Sequence, residues 1–351
     1  MYFGSDNSAG AAPQLLEALV KANEGNAPSY GADEWCARAS ARLAEVFEHP
    51  VAVFYVTTGT AANALALAAL TPPYGAVLCH QEAHINVDEC AAPEFFTGGA
   101  KLLPIAGEGA KITLPALQDA LANLPRHVPH NCPLKLLSLT QATECGLVYT
   151  PSEVAALAAT AKNHGMRVHM DGARFANAIA HLGCTPAELT WKAGVDVLCL
   201  GATKDGALGV EAVIFFDAQQ AENFQYLVKR SGQLVSKSRW LGAQMEAWLQ
   251  NGLWLDLARA ANQKASELAD VLLDVPGVHV VWRPEANSVF AVLSAEVHAR
   301  LQAAGAVYYD WPRYSLPAGQ HIKSDDVYVR FVTSFRTSSS NIESLRKAAI
   351  G

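Results

Sequence analysis

The chain has 351 residues, 51% of them apolar and 17% charged, with a net charge of −7. A single apolar core stops growing at roughly 250–300 residues, so this length predicts two domains and a protein of enzyme size. No apolar run nears the roughly 18 residues of a membrane span, no Lys/Arg block marks a nucleic-acid footprint, and MYFGSDNSAG has no basic and apolar parts of a secretion signal, so neither membrane nor nucleic acid is an expected partner.

Seven cysteines, without a C-x-x-C pair, indicate neither a disulfide framework nor a metal site and fit a reducing cytoplasm. In chain order, the β-rich run 51–60 leads into an Ala/Leu-rich helix over 61–70, and the run 76–84 into a short helical stretch. The run 135–141 precedes a helix over 152–165, and further strands follow at 167–175, 196–204 and 211–217. This alternation predicts an α/β fold with a mostly parallel sheet covered by helices. A long helix over 258–272 then gives way to strand-like runs at 278–284, 288–294, 306–311 and 326–335, a smaller α+β region. The spacing of Ser340 and Glu343 predicts a capping box that opens a last helix. The organisation expected is an N-terminal segment 1–25, a large domain 26–245 and a small C-terminal domain 246–351.

In parallel α/β sheets, ligands bind beyond the carboxyl ends of the strands, and four of these ends are chemically loaded. The turn TTGTAAN at 57–63 offers free amides of Gly59 and Thr60 to an anion such as phosphate; the alternative is an ordinary turn with Thr60 as helix cap. It is neither G-x-G-x-x-G nor a Walker loop, which removes support for a nicotinamide or nucleoside triphosphate site. His84 lies just past its strand, and Asp171 ends another, with Gly172 at the bend and Arg174 next; Asp171 could equally cap the following helix. His169, on the same strand, reads as a packed core histidine. Lys204 ends the buried-looking run VLCLGATK. A lysine in a water-poor pocket has its ammonium form disfavoured and its amine freed for a Schiff base; the alternative is a surface lysine paired with Asp205. Together these ends match the pattern of pyridoxal 5'-phosphate sites: Lys204 for the Schiff base, Asp171 on the ring nitrogen, Gly59 and Thr60 on the phosphate, and His84 against the ring.

At this combination the chain resembles the low-specificity L-threonine aldolases, pyridoxal phosphate enzymes of the aspartate-aminotransferase-like fold, fold type I. The resemblance is carried nearly end to end by Ser5-Asp6-Asn7, Tyr30-Gly31-Ala32-Asp33, GTAAN at 59–63, EAH at 82–84, DECAAPEFF at 88–96, TQATE at 140–144, HMDGARF at 169–175, the run 182–204, and VRF at 329–331. It implies Lys204 as the Schiff-base lysine, Asp171 as the ring-nitrogen partner and His84 as the stacking histidine. Arg174 would hold cofactor or substrate, Arg330 with Ser5 the substrate carboxylate, and Tyr30 and Arg239 further contacts, some of them across a subunit boundary. His130 falls where the family has a second active-site histidine. Two departures stand out: Thr203-Lys204-Asp205-Gly206 replaces the usual T-K-N-G, placing a carboxylate beside the lysine where it could shift its protonation, and Ala32 replaces an acid.

The function expected is cleavage of L-threonine, L-allo-threonine and related β-hydroxy-α-amino acids to glycine and an aldehyde, with His84, or His130 through a water, as the base. Alternatives sharing the cofactor are a phenylserine aldolase, a serine hydroxymethyltransferase-like enzyme, an aminotransferase and a β-eliminating lyase; a non-catalytic small-molecule-binding protein is the alternative of another class. The resemblance also implies a homodimer or homotetramer with shared active sites.

Overall fold

A computed structural model describes residues 1–124, 128–320 and 322–351. The larger of its two sheets contains β1 (Ala52–Val56), β2 (Ala76–His80), β3 (Lys101–Ile105), β4 (Leu134–Thr140), β5 (Arg167–Gly172), β6 (Val197–Gly201) and β7 (Glu211–Phe215), in the order β1-β7-β6-β5-β4-β2-β3. Only β7 runs antiparallel to its neighbours, β1 and β6. β2, β6 and β7 are buried at every position, as expected where helices cover both faces, and this is why they read as unbroken apolar runs.

The first crossover shows how local sequence fixes the geometry. After β1, Thr58 adopts an extended backbone and its hydroxyl accepts from Ala61 N, so helix Gly59–Leu70 starts directly at the strand's carboxyl end. Such a cap stabilises by about 1 kcal/mol. Thr58 is therefore the cap, and the reading of Thr60 in that role is corrected: Thr60 already lies inside the first turn. A similar two-residue offset corrects the last helix, Ser339–Ile350, which is capped by Ser338 with Asn341 as its reciprocal partner rather than by Ser340 with Glu343. Glu343 pairs instead with Arg346.

The smaller sheet is wholly antiparallel, ordered β10-β11-β9-β8 from β8 (Val278–Val280), β9 (Ser288–Leu293), β10 (Tyr309–Asp310) and β11 (Val327–Val332). Its own apolar core holds Leu268, Val289, Phe331 and Leu345, whereas Met170, Leu198 and Trp248 belong to the core of the larger sheet. Helix Leu253–Leu273 joins the two, with Trp254 and Ala258 in the first core and Ala265 to Leu272 in the second. Each fully buried Leu, Val or Phe contributes roughly 1.5–3 kcal/mol, so both ends of this helix are firmly held.

The N-terminal residues belong to the smaller sheet. Phe3 N donates to Val307 O and Phe3 O accepts from Val332 N, both at 2.7 Å, and the Phe3 ring lies fully buried in the second core. This anchor directs Ser5 and Asp6 towards the carboxyl ends of β5 and β6. Helices Pro13–Ala22, Glu34–Val46 and Arg239–Leu249 are additions to the elements that the sequence pattern predicts.

Candidate active site

Lys204 sits in the short turn Thr203–Asp205 at the end of β6, next to Asp171 at the end of β5. Both line one cleft with Gly59, Asn63, His84, Glu144 and Arg174. Burial, with the nearby Arg174 charge, lowers the pKa of the Lys204 ammonium, while Asp6, Asp171 and Glu211 pull the other way. Such an environment makes the amine available as a nucleophile. Asp205 is buried, and burial raises its pKa well above the ordinary carboxylate value. Its backbone carbonyl accepts from Trp248 Nε1 at 2.8 Å, and the residue packs behind the turn.

Asp171 is buried, and both its oxygens are satisfied. Oδ1 accepts from Ala173 N at 3.0 Å, across the Gly172 bend, and Oδ2 accepts from Asn63 Nδ2 at 2.8 Å. Asn63 projects from the first crossover helix, and the same Nδ2 donates to Glu89 Oε1 at 2.8 Å. Two carboxylate acceptors fix the amide's orientation, since the flipped form would set its oxygen against both. Glu89 Oε1 also lies 2.8 Å from His84 Nδ1. That hydrogen bond raises the His84 pKa, and in the neutral ring it places the proton on Nδ1, leaving Nε2 to act as base. A second acid holds His84 from behind: Glu144 Oε1 accepts from His84 N at 2.9 Å, and burial pushes the Glu144 carboxyl up to about 7.

Asp6 and Arg174 form the other wall. Arg174 Nε and Nη2 donate to Asp6 Oδ2 and Oδ1 at 2.8 and 3.1 Å, and Asn287 Nδ2 adds a third bond to Oδ2 at 3.0 Å. Burial alone would push Asp6 up, but Arg174 and Lys204 outweigh it and its pKa is lowered. Arg330, on β11, lies close enough to feel both members of this pair; burial and the Arg174 charge bring it down to about 10. Its guanidinium stands 4.3 Å from the Trp311 ring centre, and its buried Nε has no hydrogen-bond partner. A cation stacked on an aromatic face with donors to spare suits a carboxylate.

The match to the β-eliminating lyase family covers residues 3–296. The chain belongs to that family. It is 48% identical over 308 residues, 88% of either chain, to the low specificity L-threonine aldolase of Pseudomonas aeruginosa, and 46% identical over the same shares to that of a Pseudomonas species. A solved Leishmania major threonine aldolase superposes with a TM-score of 0.90 at 27% identity, covering 99% of this chain and 98% of that one. The mostly parallel sheet with a smaller C-terminal region is the pyridoxal phosphate fold type I of these lyases.

The residues of this lyase fit pyridoxal 5'-phosphate, its cofactor. A Cβ on Gly59 would meet nothing within 4 Å, so its own chain leaves space there, at a helix start whose first amides lack intrahelical acceptors. A buried acid, a pKa-lowered lysine and two guanidinium groups complete a donor set suited to a phosphorylated pyridine aldehyde.

The fold gathers Lys204, Asp171, His84, Gly59 and Arg174 into the cleft, as the sequence predicts. Ser5 stands beside Asp6, its Oγ accepting from Asn7 N at 3.2 Å. His169 is the core histidine expected, bonded to Ser138 Oγ and Cys199 Sγ. Other residues are not brought together within one chain. His130 is exposed and precedes β4, whereas the site lies beyond the strand's carboxyl end, about 20 Å away at 3.3 Å per residue. Tyr30 is exposed under Lys229, and Arg239 donates to the Glu24 and Gly25 carbonyls; neither lines the cleft. Sequence reasoning assigned no role to Asp6, Asn63, Glu89, Glu144, Glu211 or Asn287, although the first four lie inside the motifs that carried the resemblance.

Proposed function

We propose that this chain cleaves L-threonine, L-allo-threonine and related β-hydroxy-α-amino acids to glycine and an aldehyde, and runs the reverse addition, with Lys204, Asp171, His84, Arg174 and Arg330 as its working residues. The observation that carries the reading is the convergence, from neighbouring strand ends, of a pKa-lowered lysine and a buried aspartate on one cleft whose wall holds a histidine oriented by a carboxylate.

The cofactor supplies a sink for the electron pair left on the substrate's Cα when the Cα–Cβ bond breaks. Lys204 provides the amine that holds the cofactor covalently, and the Asp171 carboxylate keeps a proton on the ring nitrogen. Gly59 and Thr60 amides receive the phosphate. Arg330 binds the substrate carboxylate, helped by Ser5, whose hydroxyl hydrogen is free to donate because its oxygen is the acceptor in the turn. That grip sets which bond at Cα breaks. His84 Nε2 takes the β-hydroxyl proton, since Nδ1 is engaged by Glu89; the O–H electron pair becomes the second bond of the aldehyde carbonyl. Glycine results when a proton is returned to Cα. Of the two histidines considered as base, His84 is favoured because the fold brings it to the cleft.

Tyr30, Arg239 and His130 lie on surfaces away from their own cleft, which supports a homodimer or homotetramer in which such residues serve a neighbouring subunit; light scattering measures that state. The two apolar cores divide within helix Leu253–Leu273, between Ala258 and Ala265, which favours a domain division some way beyond residue 245. Among the described residues no helix is long and apolar enough to cross a membrane, and a cytoplasmic setting is in keeping with free cysteines. The decisive test is to saturate the purified protein with pyridoxal phosphate, add L-threonine, and quantify acetaldehyde and glycine with Lys204→Ala as control. Equimolar products that vanish in the control are expected; cofactor bound without acetaldehyde would overturn the substrate assignment.

A further inference from the structure

β7 is the one antiparallel strand of the larger sheet, so its first residue, not its last, lies at the end where the parallel strands deliver the site. That residue is Glu211, an acid in an otherwise apolar strand, 6% exposed. Its Oε2 accepts from Ala202 N at 3.2 Å, two residues before Lys204, and the Thr203 hydroxyl lies against the same carboxylate while accepting from Val210 N. The chain makes room for it at a cost in side chains: a Cβ on Gly201 would stand 3.0 Å from Glu211 Oε2 and 2.8 Å from Ala173 Cα. The acid thus occupies a fitted recess beneath the turn that carries the lysine.

We propose that Glu211 is a positioning residue for Lys204, holding the lysine turn through Ala202 and Thr203 and adding to the negative charge that favours a proton on the lysine nitrogen. This rests on Lys204 being the cofactor lysine. The charged groups facing that nitrogen are Arg174, Asp6, Asp171 and Glu211. Asp6 is bound by Arg174 and Asp171 by Asn63 and Ala173; Glu211, whose pull on the lysine is the smallest of the three acids, is the one bonded to the lysine's own turn. Around Glu211 stand Lys204, Asp171, Thr203 and the buried Cys199 thiol. Burial brings the Glu211 carboxyl up to about 7, so its charge develops across neutral pH.

The test uses the holoenzyme without amino acid and follows the cofactor's visible absorption against pH. In Glu211→Gln, which preserves an acceptor for Ala202 N and removes the charge, the midpoint of that change should fall by about 1 pH unit, the effect of losing one nearby opposite charge. An unchanged midpoint in a cofactor-loaded variant would overturn the proposal and leave Glu211 a structural anchor. Should the Gln variant fail to fold, Thr203→Val, which withdraws a hydrogen bond from the carboxylate and favours its neutral form, should move the midpoint in the same direction by a smaller amount; no movement would again overturn it. Since no substrate is present, neither result depends on which amino acid is cleaved.

Discussion

Asn63 Nδ2 donates at 2.8 Å to both Asp171 Oδ2 and Glu89 Oε1, so one amide serves the acid at the end of β5 and the acid that orients His84. The ring-nitrogen partner and the base are therefore parts of one network. Replacing Asn63 with Ala leaves two buried carboxylates short of a donor, a loss of about 1–3 kcal/mol for each group. We expect lowered stability in urea together with weakened cofactor retention. A variant that unfolds as the parent does would show that water replaces the amide without cost.

Glu89→Gln should act chiefly on His84, while also altering the acceptor of Asn63 Nδ2. The hydrogen bond to Glu89 is the main cause of the raised His84 pKa, and a neutral partner removes it. His84 works as a base only when unprotonated, so a lower pKa moves the acidic limb of the kcat/KM profile to lower pH. A fall in kcat of about 10–100-fold is expected, of the size seen when an orienting partner is lost. A profile with its limb in place would remove Glu89 from that role.

Asp6→Asn tests the pair with Arg174. The folded-state pKa of Asp6 is lowered, so its stabilisation is present above the ordinary carboxylate value of 3.8 and is lost as pH falls through and below it. Breaking a buried pair from one side costs about 3 kcal/mol. Urea melts should thus separate parent and variant at pH 7 and converge in acid. A gap that persists equally at low pH would mean that Asp6 acts through packing and not charge.

Arg330→Lys keeps a positive charge over Trp311 but loses the planar fork. An increase in KM for L-threonine of about 10-fold or more is expected, equivalent to about 1.4 kcal/mol, with the cofactor spectrum unchanged. An unaltered KM would place the carboxylate grip elsewhere.

Strand ends were legible because their signals are local: Lys204 and Asp171 each close an apolar run, and buried parallel strands announce themselves by unbroken apolarity. The acids around them were not legible. Asp6, Asn287 and Arg174 meet from three distant parts of the chain, and nothing near Asp6 in sequence tells that its partner lies 168 residues on. Glu211 was hidden for another reason, since the direction of β7 decides which end of the strand reaches the site. His130 shows what a motif position alone does not tell: within one chain it lies before the amino end of β4, away from the strand ends that carry Lys204 and Asp171. Asp205 sits next to the lysine in sequence, yet the tight turn sends its carboxyl into the core.

The bond between Asp6 and Asn287 joins residues 281 positions apart. During synthesis Asp6 leaves the ribosome long before β9 exists, and Phe3 waits equally long for Val307 and Val332 to hold it. The strands of the larger sheet end at residue 215, but its core is closed only by Trp248, Trp254 and Ala258. The two faces of the binding site thus come from opposite ends of the chain, and neither Asp6 nor Arg174 is held until the last strands of the smaller sheet are in place.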